Sequence, residues 1–164
     1  MGDAIDVVWP RADWSSWESL AQAALMAPPR PGVYLGRRGA TGELLYVGHA
    51  GERVHSQPGL RGRLGVYARG RGAVSGLGEA ALDRALADPA FVRQRLHWLE
   101  TGRAERTKDW ARAALSWANV HVCWVERATK AEAAAFEDEL LGLLEAHVLW
   151  NRKRPTPGGA PGSA

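Results

Sequence analysis

Residues 32–48 read GVYLGRRGATGELLYVG, two short apolar runs that each pair a tyrosine with a glycine across a glycine-rich connection. Val33 to Arg38 and Leu44 to Gly48 predict two strands of a hairpin that turns around Gly39-Ala40-Thr41-Gly42. A hairpin needs no tyrosine for its own sake, so the question is whether Tyr34 and Tyr46 share a face. Side chains alternate along a strand, which makes the answer one of parity. An odd loop, or an even one corrected by a bulge, puts both rings on one side; a plain two-residue turn parts them. The expected solution is a three-residue loop at 40–42, with Gly42 in the left-handed conformation before a bulge.

Outward from the hairpin, residues 13–27, DWSSWESLAQAALMA, predict a helix with Ser15 and Glu18 as a capping box and Pro28-Pro29 as its stop. Trp14, Trp17, Leu20 and Ala24, with Trp9, are expected to cover one side of the sheet. On the other flank, Leu60, Leu64 and Tyr67 recur at helical spacing over 60–70. Gly62 and Gly65 weaken that helix by roughly 1 kcal/mol each, so tertiary contacts must hold it. A small-residue loop, 72–77, leads to helical patterns near 78–88, 90–101 and 106–118. VHVCWVE, 120–126, alternates as a third strand, and a long helix is expected over 129–147, with Thr129 as N-cap and Glu132 three residues on. The tail RKRPTPGGAPGSA, 152–164, has the composition of a flexible segment.

The expected fold is therefore a small α/β (α+β) domain over residues 1–152. It has a three-stranded, mainly antiparallel sheet flanked by helices, a helical insert (72–118) between strands 2 and 3, and an N-terminal helical extension (1–28). With 164 residues, 46% apolar and 24% charged, the composition suits one soluble domain with a real core. No apolar run approaches the roughly 18 residues of a membrane span, and MGDAIDVVWP lacks a basic-then-apolar leader pattern. A lone cysteine, Cys123, forms no internal disulfide and no cysteine metal site, which favours a reduced, cytoplasmic setting.

The net charge of +3 says little about a polyanionic partner, but its distribution says more. Between residues 53 and 71 stand Arg53, Arg61, Arg63, Arg69, Arg71 and His55, with no acid among them. Such a block fits docking of phosphates, and equally a solvated cationic face.

Five elements in order carry a resemblance: Gly32-Val33-Tyr34, Tyr46-Val47-Gly48, Leu60-x-x-Arg63-Leu64-x-x-Tyr67, a glutamate on the last helix, and Trp150-Asn151. Together they resemble the GIY-YIG nuclease domain over about residues 30–71 and 119–152. The resemblance implies hydrolysis of DNA phosphodiesters with Mg²⁺ or Mn²⁺, a metal held by the helical glutamate, an arginine on the scissile phosphate, and a tyrosine in proton transfer. The expected catalytic set is Tyr34, Tyr46, His49, Arg63, Tyr67, Glu137 and Asn151. Arg53, Arg61, Arg69 and Arg71 are the expected contacts to DNA, and a dimer is compatible with double-strand cutting.

The residues themselves constrain these roles. Arg63 and Tyr67 are four apart and project from one helical stripe, whereas Arg61 points roughly 200° away from Arg63. A guanidinium grips phosphate with two parallel hydrogen bonds, and a surface ion pair is the plainer alternative for Arg63. For the glutamate, counting back twelve residues from Asn151 gives Glu139, while aligning the local helix gives Glu137. Ala133, Phe136, Leu140, Leu141, Leu144 and Val148 mark an apolar stripe that contains Glu137 and excludes Glu139. A carboxylate there needs a cation or hydrogen bonds, and a structural pair with Arg63 would also serve. Choosing Glu137 leaves two extra residues before Asn151 relative to the family pattern, which loosens the assignment of Asn151 as a positioning group. His49 follows the YVG directly and is either a proton acceptor or an idle surface residue. In the insert, Trp98, Trp110 and Trp117 are expected to pack and Glu79 and Asp83 to face solvent. A non-catalytic nucleic-acid-binding module on the same scaffold is the rival reading.

Overall fold

The structure, a computed structural model, describes residues 3–52 and 58–152. Among them are seven α-helices, one short 3₁₀ turn and one four-stranded antiparallel sheet. In chain order these are α1 (Ala4–Val8), β1 (Glu18–Ser19), α2 (Leu20–Met26), β2 (Gly32–Arg38), β3 (Leu44–Ala50), α3 (Gly59–Ala68), α4 (Gly76–Leu86), α5 (Pro89–Glu100), α6 (Thr107–Trp117), β4 (Val120–Glu126) and α7 (Lys130–Leu143). The strands lie in the order β1-β4-β2-β3.

The central strand is β2, hydrogen-bonded to β3 on one side and β4 on the other. Both of its faces are covered, so Gly32 to Gly36 are buried without alternation. On one face, Tyr34, Leu45, Leu60, Leu64, Tyr67, Leu77 and Ala114 form a core with α2, α3, α4 and α6. On the other, Val33, Leu35, Val47 and Cys123 pack under Phe136, Leu140 and Leu141 of α7, with Val8 of α1.

Two sequence expectations need correction. The sheet has four strands, not three: residues 13–17 are not helical, and Glu18–Ser19 pair with Val122 and His121 as a short edge strand. Ser15 reinforces that edge, its N–H donating to Trp124 O (2.9 Å) and its Oγ accepting from Trp124 N (3.0 Å). Serine hydroxyls that bond backbone groups compete with a helix, and the flank of β4 offers unpaired partners. The helix therefore starts at Leu20, capped by Ser19 Oγ accepting from Gln22 N. The tryptophans accordingly split: Trp14 and Trp17 pack on the α7 face, whereas Leu20 and Ala24 pack on the opposite one.

With β1 counted, β2 and β3 are joined by the tight hairpin with no helical insert between them; helices α3 to α6 fall between β3 and β4. The first turn of α3 has no side-chain cap, and backbone carbonyls replace it: Leu60 N donates to Arg30 O (2.8 Å) and Arg61 N to Pro28 O (3.1 Å). Arg61 Nε adds a bond to Ala27 O (2.8 Å). These ties to the 27–30 segment are the tertiary support that a helix with Gly62 and Gly65 requires. At α7, Thr129 Oγ1 accepts from Glu132 N as an N-cap should, while Glu132 Oε2 reaches past the N-cap to accept from Ala128 N, so the reciprocal half of a capping box is not formed. The helix ends at Leu143 instead of 147, and Val148, 92% exposed, leaves the apolar stripe.

Candidate functional site

The hairpin resolves the parity question through a bulge. Four residues, 39–42, separate Arg38 from Glu43, and Gly39 supplies the left-handed residue (φ 59°) in place of Gly42. The register slips between Gly36 and Arg37, leaving Tyr34 opposite Gly48 and Gly36 opposite Tyr46. Each tyrosine thus faces a glycine, and the two rings meet diagonally on one face, stacked 6.1 Å apart at 21°. A Cβ on Gly48 would collide with the hydroxyl end of the Tyr34 ring and lie 2.8 Å from Tyr46 Cε1. The Tyr-Gly repeat is the local code for laying a ring flat across the neighbouring strand.

Tyr67 of α3 closes this group: its hydroxyl lies 2.9 Å from that of Tyr34 and accepts from Leu77 N (3.3 Å), and its ring meets Tyr34 edge-on. Tyr34 is 1% exposed, Tyr67 is equally buried, and Tyr46 is half-buried. Burial, then the neighbouring Tyr67 and Tyr46, pushes the Tyr34 phenol well above its usual range, with Arg63 partly offsetting them. Burial also raises Tyr46, assisted by Tyr67 and the nearby Glu137 carboxylate, and again offset in part by Arg63.

Both phenols are therefore neutral donors at working pH. A group that folding makes a weaker acid stabilises the fold fully below its unfolded pKa, about 10 for tyrosine, and loses that contribution as pH climbs through the folded value. Unfolding free energy is expected to fall above about pH 10, read by denaturant midpoints and tyrosinate absorbance. Buried Cys123, also raised, adds to the slope; Tyr34→Phe should flatten it.

The second half of the site stands on the opposite face. His49, at the other parity of β3, places Nδ1 2.7 Å from Oε2 of Glu137 on α7. Glu137 is 6% exposed and Glu139 lies on the exposed side, as the apolar stripe requires. Glu137 pairs with His49, and no ion pair between Glu137 and Arg63 forms among the described residues. An accepting carboxylate selects the tautomer with the proton on Nδ1, which leaves Nε2 to face the cavity side of the ring as its other nitrogen.

Trp150 and Asn151 dock on the outer edge of β3. Trp150 N donates to Leu45 O (2.7 Å), while the Asn151 amide donates to Val47 O (2.6 Å) and accepts from Val47 N (3.0 Å). Asn151 thus caps the free sheet edge as an extra strand residue would, despite the two extra residues before it. Asn151→Ala leaves that part-buried backbone pair open. It is expected to cost about 2 kcal/mol and to lower Tm by roughly 5 °C in thermal unfolding.

The tyrosines and the His49–Glu137 pair lie on opposite faces of the sheet and meet around the rim of β3. There a cavity of about 270 Å³ is lined by Tyr46, His49, Glu79, Glu137, Asn151 and Arg152. Arg152 holds Glu79 (3.0 Å) and Asp83 (2.7 Å), so these acids are paired. A second cavity, on the other side of His49, is lined by Arg63, Gly59 and Lys130 among others. Arg63 is half-buried and makes no hydrogen bond or ion pair among the described residues. Arg69 and Arg71 are exposed at the end of α3; Arg53 lies outside the described residues, as do His55 and the 153–164 tail.

Sequence reasoning missed the bond between His49 and Glu137, 88 positions apart, and the part played by Lys130 beside Arg63. Neither leaves a periodic signal. A further cavity, about 730 Å³, is lined by α5, α6 and the segment joining them and shares no lining residue with the two at β3. Its lining includes the ion pairs Arg95–Glu105 (2.9 Å) and Arg112–Asp109 (2.6 Å). There Trp110 and Trp117 pack against the core and Trp98 lies against Arg95 and Arg103.

Among the described residues no three His, Cys, Asp or Glu side chains converge on a metal position. One buried carboxylate at a cavity also lined by Tyr46 and Asn151 does not suit zinc but does suit Mg²⁺ or Mn²⁺, which take one or two carboxylates and keep several waters. No helix among the described residues is long and apolar enough to cross a membrane. Comparison with known protein families, curated proteins and solved structures finds no match to this chain.

Proposed function

We propose that this chain is a metal-dependent endonuclease of the GIY-YIG type that hydrolyses DNA phosphodiesters at the rim of β3. The observation that carries the reading is the meeting of a buried carboxylate, Glu137, with a histidine, a half-exposed tyrosine and an arginine around one strand edge. Glu137 is the residue that would hold Mg²⁺ or Mn²⁺, which when bound supplies charge neutralisation at the phosphoryl group.

The chain's own groups divide the remaining work. Arg63 binds the phosphoryl oxygens and opposes the charge that grows there in the transition state. Tyr46, half-buried at the cavity, donates a hydrogen bond that orients the attacking water; its raised pKa keeps that proton in place. His49 Nε2 accepts the proton that the water gives up, while Glu137 holds the other nitrogen and so the ring's orientation. Tyr34 and Tyr67, buried and joined by their hydroxyls, position Tyr46 by stacking instead of meeting substrate.

The rival, a binding module without chemistry, keeps the cationic groups but gives Glu137 no catalytic role. Duplex, branched and single-stranded DNA incubated with Mg²⁺ or Mn²⁺ separates them. New ends that form with metal and vanish with chelator support the nuclease. Salt-sensitive binding that ignores Mg²⁺, with all substrates intact, supports the module.

A further inference from the structure

Resting on that nuclease reading, we propose that the cavity between the start of α3 and the start of α7 binds the DNA phosphate flanking the one that is cut, with Lys130 as its second cation. The cavity is lined by His49, Ala50, Gly51, Glu52, Gly59, Arg63 and Lys130, and it shares His49 with the Glu137 cavity. The two cavities differ in charge. On the Glu137 side, Arg152 is held by Glu79 and Asp83. On the other side, Arg63 and Lys130 face one exposed carboxylate, Glu52. A nucleic-acid backbone crossing the His49 ridge would pass from a cationic cleft to the carboxylate that carries the chemistry.

Local packing delivers Lys130 to this place. A Cβ on Gly51 would lie 2.6 Å from Lys130 Cδ and 2.9 Å from its Cβ. The lysine stem therefore lies across a bare glycine, near its root as well as along its length, so a larger residue at 51 must displace it. Long cationic side chains bury their stems in this way while the ammonium reaches for an anion. Lys130 is the first helical residue of α7, seven positions before Glu137, so one rigid element carries both groups. Arg63 comes from α3, whose first turn is tied to the 27–30 carbonyls.

The test measures affinity for a short single-stranded oligonucleotide in chelator, across a salt series, and cleavage kinetics with Mg²⁺. Lys130→Gln is expected to weaken binding roughly threefold to tenfold and to reduce the salt slope by about 1, raising KM with kcat unchanged. Lys130→Arg should restore most of the affinity. Gly51→Ala, which leaves charge untouched, should weaken binding in the same direction by displacing the stem.

An unchanged affinity and salt slope in Lys130→Gln overturns the proposal, as does a wild-type protein that binds no oligonucleotide. The nuclease reading fails separately. If the wild type never cuts but Lys130→Gln still lowers affinity and slope, the phosphate cleft stands without the chemistry. If the wild type cuts and Lys130→Gln leaves binding and KM alone, the cleft falls and the nuclease remains.

Discussion

Glu137→Gln is expected to lower the rate of DNA cleavage roughly a thousandfold while leaving DNA affinity in chelator within about twofold of wild type. The substitution keeps the shape of the side chain and a carbonyl oxygen that accepts from His49 Nδ1, so the fold should be preserved. What it removes is the negative charge, which is the property that a hard divalent cation requires. Single-turnover cleavage rates and oligonucleotide binding, measured side by side, check the split. Glu137→Ala is the less informative change, because it leaves His49 without its partner at the cavity wall. Equal losses in binding and cutting would mean that Glu137 serves the scaffold and not the reaction.

Gly48→Ala is expected to destabilise the protein by about 3 kcal/mol and to lower Tm by roughly 6–12 °C. One methyl group suffices because the space over Gly48 is filled by the Tyr34 hydroxyl end and by Tyr46 Cε1. Neither ring can swing away: Tyr34 is locked through Tyr67, which is itself held by Leu77 N. The cost should fall sharply in a Tyr34→Ala background, where the methyl has room. Thermal unfolding of the two single variants and the double variant gives that coupling directly. Additive effects would show that the diagonal Tyr-over-Gly arrangement does not set the local packing.

Outside residues 13–19 and the end of α7, the elements marked by a period or a cap form close to where the sequence places them. The strand at 120–126 and the helices starting near 59, 76, 89, 107 and 130 lie within two residues of their expected starts. Glu137 could be chosen over Glu139 because the apolar stripe of α7 has an unambiguous centre. Residues 13–19 were misread because the same serines that can cap a helix can instead bond the edge of a strand. Which of these wins depends on β4, more than a hundred residues away. The Val148 error has a similar origin: the stripe extends past the point where Trp150 and Asn151 turn to meet β3.

The candidate site was legible as a set of residues but not as a geometry. The family resemblance pointed to Tyr34, Tyr46, Arg63 and Tyr67; the structure packs the three tyrosines against one core, with Arg63 close enough to act on Tyr34 and Tyr46. The placement of Glu137 on the far face of the sheet, with His49 reaching it from β3, depends on how α7 packs and leaves no trace in local spacing. Parity was decided by a bulge at Gly36/Arg37 that no turn signature announced; the loop itself is even. Tyr34, first in the sequence motif, proves too deeply buried to meet a water, and Tyr46 stands at the cavity instead.

In the proposed nuclease, groups from both faces of the sheet meet at the rim of β3 to cut DNA with a divalent metal. Mapping ends after incubating the full chain with a mixture of duplex, branched and single-stranded DNA in Mg²⁺ or Mn²⁺ tests it most directly. The account predicts new, discrete ends with wild-type protein that disappear with chelator and with Glu137→Gln. Intact DNA in every metal condition, or cutting that persists undiminished in Glu137→Gln, would contradict it.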